Sequence, residues 1–79
     1  MLTKYIGIVS SLDSSDVGKQ ILKLLPNPSF NPTQSSHGRA VIRSLLQIRY
    51  FSLASDEGLD VMVEAFVKIG KVSQMPACP

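Results

Sequence analysis

Seventy-nine residues, 44% of them hydrophobic and 18% charged, allow one small globular domain at most and exclude a chain too polar to pack. The formal charge of +2 is scattered over Lys4, Lys19, Lys23, Arg39, Arg43, Arg49, Lys68 and Lys71, with no dense run and no aromatic platform, which argues against nucleic acid as a partner. No apolar run approaches the length needed to cross a bilayer, and one cysteine with one histidine makes neither an internal disulfide nor an ordinary zinc site. A core this small without a staple is expected to be marginal or to depend on association, as a piece of something larger would. The first nine residues have too short an apolar core and no cleavage site for a signal peptide, so cytoplasm is the default expectation.

Residues 4–12 read as a buried strand, because Tyr5, Ile6, Ile8 and Val9 are β-formers and turn-forming residues follow. Asp13, Ser14 or Ser15 then caps a helix over 16–25, with Val17, Ile21, Leu24 and Leu25 inward and Lys19, Gln20 and Lys23 outward. Gly18 weakens that helix by roughly 1 kcal/mol relative to alanine. Pro26-Asn27-Pro28 ends it. The first segment is therefore 1–25.

Residues 26–38, PNPSFNPTQSSHG, form a Pro/Ser-rich loop, expected to be exposed and mobile with only Phe30 available to pack. Residues 39–51 are ambiguous. As a strand, Ala40 and Ile42 share one face and Arg39, Val41 and Arg43 the other; as a helix, Val41, Ile42, Leu45 and Leu46 recur at i, i+3, i+4. No internal repeat is apparent.

Residues 50–74 carry the clearest pattern. Leu59, Met62, Phe66, Ile69 and Ser73, with Val63 beside them, make one apolar face, and Asp60, Glu64, Lys68 and Lys71 oppose it. Ser55 or Asp56 caps the start, early acids and late lysines suit the helix dipole, and Pro76 forbids continuation.

Groups able to do chemistry are sparse. His37 could serve as a general base, but a solvated turn histidine is the simpler reading. Cys78 has no neighbour that would lower its pKa. Ser35 and Ser36 adjoin His37 without making a triad. Asp60 and Glu64, one helical turn apart, could be paired carboxylates, but a solvated, lysine-paired face explains them better. The glycines never reach the G-x-G-x-x-G spacing that cradles a pyrophosphate.

In order and spacing, Ser36-His37-Gly38, the run Ala40 to Ser44, Tyr50-Phe51-Ser52 and Leu59-Asp60 resemble part of the substrate domain of the glucose-methanol-choline (GMC) oxidoreductases. The likeness covers residues 36–74. Two departures are a shorter loop between Ser44 and Tyr50 and His37 in place of the usual arginine. The resemblance implies a strand over 40–44, a FAD-dependent family that oxidises alcohols or sugars, and the remainder of a flavoprotein as the missing partner. It transfers no catalytic, cofactor-binding or metal-ligating residue to this chain, and FAD is not expected to bind the chain alone.

The expectation is thus an α+β fragment: an N-terminal strand and helix, a Pro/Ser-rich loop, and a strand–helix segment over 39–79 containing a short strand and a long C-terminal amphipathic helix. Its expected function is that of a truncated oxidoreductase piece, inactive alone. The alternative is a small non-enzymatic interaction module that uses helix 56–73, with self-association as one way to cover its apolar stripe.

Overall fold

A computed structural model describes residues 6–72, which form four α-helices and no strand. The α+β expectation is therefore corrected to an all-helical fold. The helices are α1 (Ile6–Leu12), α2 (Asp16–Leu24), α3 (Ser36–Leu46) and α4 (Asp56–Lys68), with a 3-10 turn at Phe51–Leu53. Helix α1 packs on α2 and α4, and α3 packs on α2, on the 3-10 turn and on α4. The four helices thus close a ring around one core.

Both expected strands fail for the same physical reason. In α1, Val9 and Leu12 are buried at helical spacing, while Gly7, Ser10 and Ser11 stay exposed. β-Propensity is a weak preference, and tertiary burial of one helical face overrides it. Lys4 and Tyr5 lie outside the described residues. In α3, Ile42 and Leu46 are wholly buried at i, i+4, with Val41 and Leu45 half-buried beside them. The helical alternative for 39–51 therefore holds over 39–46, where it is part of α3, and the strand over 40–44 does not form.

Helix α2 follows the expected span, with Leu25 at its C-cap. Val17, Ile21 and Leu25 are buried, and Leu24 is half-buried. Helix α4 is shorter than expected, because its stop is Gly70 rather than Pro76. Gly70 takes φ 79°, the Lys71 amide donates to Phe66 O at 2.9 Å and the Gly70 amide donates to Val67 O at 3.1 Å. That pair of bonds is a Schellman ending, and the positive φ is the reason for glycine there. Ser73 and Pro76 lie outside the described residues.

The central helix is buried on more than one side. Leu59, Met62, Val63 and Phe66 are inside as expected, but so are Val61 and Ala65, whereas Ile69 is 44% exposed. Asp60, Glu64, Lys68 and Lys71 are exposed, and Glu64 pairs with Lys68 at 3.8 Å.

The segment expected as a mobile loop over 26–38 is a strap of consecutive turns, and its last three residues open α3. Amide-to-carbonyl bonds run Asn27 to Leu24, Phe30 to Asn27 and Ser35 to Asn31. Packing goes beyond Phe30, since Asn31 and Pro32 are buried and Phe30 is half-buried. Asn31 Nδ2 donates to Leu25 O at 3.4 Å, and Asn31 Oδ1 accepts from the Thr33 amide at 2.9 Å and its hydroxyl at 2.5 Å. Its buried polar groups are thus satisfied, as burial requires.

One short recurrence marks the starts of three helices. Ser15, Ser35 and Ser55, twenty residues apart, are the N-caps of α2, α3 and α4. Each hydroxyl accepts from the amide of a glycine three residues on, at 3.0 Å for Gly18, 2.9 Å for Gly38 and 3.0 Å for Gly58. At each glycine the preceding chain crosses the first helical turn. A Cβ would lie 1.7 Å from Leu12 O at Gly18, 2.5 Å from the Phe30 backbone at Gly38 and 2.6 Å from Leu53 O at Gly58. Two matching positions per unit are too few to register as a repeat in the sequence.

Candidate functional site

Two features of the surface depart from a plain packed bundle. The first is a polar clamp. Arg39 and Arg43, one turn apart on α3, both reach the start of α4. Arg39 Nη1 donates to Pro32 O at 2.9 Å and to Asp60 Oδ1 at 3.0 Å. Arg39 Nη2 donates to Asp56 Oδ1 and to the Asp56 carbonyl, both at 3.1 Å. Arg43 Nε donates to Ala54 O at 2.8 Å, and its Nη2 to Asp56 Oδ1 at 2.7 Å. The hydrogen bonds that Arg39 donates to Asp60 and then to Asp56 raise its pKa above the ordinary value. The Arg39 hydrogen bond, followed by the charges of Arg39 and Arg43, holds the Asp56 carboxyl below the usual range. This clamp ties the strap, α3 and α4 together, and its charges are already paired.

The second feature is the connector between α3 and the 3-10 turn. Three amide bonds wind it tightly: Ile48 to Leu45 O, Arg49 to Leu46 O and Tyr50 to Leu46 O. That tight exit turns Ile48 and Phe51 outward, 65% and 76% exposed, while Leu46 and Leu53 on either side are wholly buried. Beside the connector is an open cleft of about 490 Å³, lined by Ser14, Ser15, Asp16 and Val17 at the start of α2 and by Ile48 and Arg49. The side chains of Arg49 and Asp16 have no ion-pair or hydrogen-bond partner among the described residues. The cleft therefore presents an apolar edge and, among the described residues, one cation and one anion without a partner.

The residues singled out for chemistry are not brought together. His37 is exposed on the first turn of α3, its ring 5.5 Å from that of Phe30. Ser35 is engaged as a cap, its hydroxyl also donating to Ser29 O at 2.8 Å, and Ser36 is exposed. Asp60 is held by Arg39 rather than by a lysine, and Glu64 by Lys68. Cys78 lies outside the described residues. Among the described residues, no group of three or more His, Cys, Asp or Glu side chains stands close enough to hold a metal ion. Likewise, no helix among them is long and apolar enough to cross a membrane.

Sequence reasoning missed both features. The pattern over 39–51 leaves strand and helix open and does not set the connector apart, and nothing in it places Arg39 and Arg43 against the start of α4. The run Ile48-Arg49-Tyr50-Phe51, one residue beyond the end of the apolar i, i+4 pattern at Leu46, is the signal that could have found the connector. Comparison of the chain with protein-family models, with curated proteins and with solved structures found no match.

Proposed function

We propose that this chain is a small, non-enzymatic, all-helical interaction module whose binding surface is the connector Ile48, Arg49 and Phe51 with the adjoining start of α2. The carrying observation is selective exposure. Of the three exposed large apolar side chains among the described residues, two, Ile48 and Phe51, stand three residues apart where the chain leaves α3 for the 3-10 turn, and Ile48 lines the cleft. An exposed aromatic residue two positions from an arginine that has no ion-pair partner among the described residues has the composition of an interface anchor.

The alternative use of helix 56–73 is set aside, because Met62 and Phe66 are wholly buried within the chain's own core. The oxidoreductase reading rests on sequence likeness alone, and the strand it implied over 40–44 is part of α3. A photo-cross-linking residue at position 51, compared with one at exposed Gln34 in the strap, tests the proposal in the cells that make the protein. A discrete adduct from position 51 and none from position 34 is expected. Equal or absent adducts at both positions would sink it.

A further inference from the structure

Resting on that reading, we infer that the partner at the connector surface is a second copy of this chain, related by a two-fold axis. The patch carries its own complement. It holds one cation, Arg49, and one anion, Asp16, lining the same cleft and both unpaired among the described residues. A two-fold interface places each contact twice, residue i on j and j on i. In that arrangement Arg49 of one protomer meets the partner's Asp16, and the reverse pair forms across the axis. Ile48 and Phe51, 65% and 76% exposed, are then covered by the partner's Ile48 and the partner's Phe51.

The charge pattern selects this occupant over others. A patch of one positive and one negative group has no net attraction for an acidic peptide or an anionic lipid surface, whereas it matches its own two-fold image. The clamp charges do not interfere, because Arg39, Arg43, Asp56 and Asp60 are paired with one another. With two exposed large apolar side chains per protomer, association is weak and concentration-dependent.

Sedimentation velocity of the full chain from about 10 μM to about 1 mM reads the proposal directly. A reversible monomer–dimer equilibrium is expected. Arg49→Asp and Asp16→Arg should each weaken it by about tenfold, through two like-charge contacts per dimer, and the double variant should recover most of that loss. Phe51→Ser should abolish dimers while leaving the helical circular dichroism unchanged, since the side chain is exposed. A chain monomeric throughout, or dimers indifferent to Phe51→Ser, or a double variant no better than the single ones, overturns the inference. If the chain stays monomeric but position 51 cross-links a different protein, the dimer is wrong and the interaction reading stands. If neither occurs, both fall.

Discussion

One nitrogen of Arg39 holds both ends of Asp56: Nη2 donates to the carboxylate Oδ1 and to the main-chain carbonyl, each at 3.1 Å. The residue that starts α4 is thereby fixed to α3 through backbone and side chain at once. Since Asp56 Oδ1 also accepts from Arg43 at 2.7 Å, two cations converge on one carboxylate at the positive end of a helix.

This geometry makes acid a destabilising agent. The folded Asp56 pKa is depressed, first by the Arg39 hydrogen bond and then by the two arginine charges, from an ordinary 3.8. A depressed carboxylate contributes stability that is full above the unfolded value and is lost as pH falls through the folded value. Urea denaturation between roughly pH 5 and pH 2 should therefore show a steeper loss of stability for the wild-type chain than for Asp56→Asn. Parallel curves would show that the contact contributes nothing. Asp56 is 80% exposed, so added salt should narrow the difference.

The glycine at the start of α2 is required by space rather than by conformation. Gly18→Ala places a methyl 1.7 Å from the Leu12 carbonyl oxygen, which cannot swing aside as a side-chain tip can. The substitution should cost about 3 kcal/mol or more. Gly7→Ala, in α1 with nothing within 4 Å among the described residues, should stabilise by up to about 1 kcal/mol. Paired thermal melts decide this, and similar effects at both sites would mean that α1 and α2 do not meet as described.

Phe66 is the largest wholly buried side chain in the core. Phe66→Ala should cost about 3–5 kcal/mol, enough to abolish cooperative unfolding in a chain this small. Lys68→Ala, whose partner Glu64 is at 3.8 Å on the exposed face, should change stability by only a few tenths of a kcal/mol. Denaturation curves for the two variants that coincide would place Phe66 outside the core.

Asn31 is the buried polar residue that holds the strap. Asn31→Ala removes its bonds to Leu25 O and to both Thr33 donors, and should cost about 1–3 kcal/mol. Amide hydrogen exchange should accelerate at Thr33, whose amide donates to Asn31 Oδ1. Unchanged exchange there would show that the strap does not rely on this side chain.

The sequence alone determined the helices whose apolar period and start signals agree. A cap among Asp13, Ser14 and Ser15 with Val17 and Ile21 marked α2, and Ser55 or Asp56 with Leu59, Met62 and Phe66 marked α4, because capping and i, i+4 spacing are local properties; the structure picks Ser15 and Ser55. Only tertiary structure decided α1 and α3, where β-branched residues suit either conformation and the choice falls to which spacing finds a buried partner, as Val9 and Leu12, Ile42 and Leu46 do. It alone also decided that Gly18, Gly38 and Gly58 are crossing points, since the chain each one meets is not specified by its own neighbours. The exposure of Ile48 and Phe51 belongs to the same class. A run of apolar residues states what could be buried, and the limited room around a closed ring of helices settles which of them are left outside.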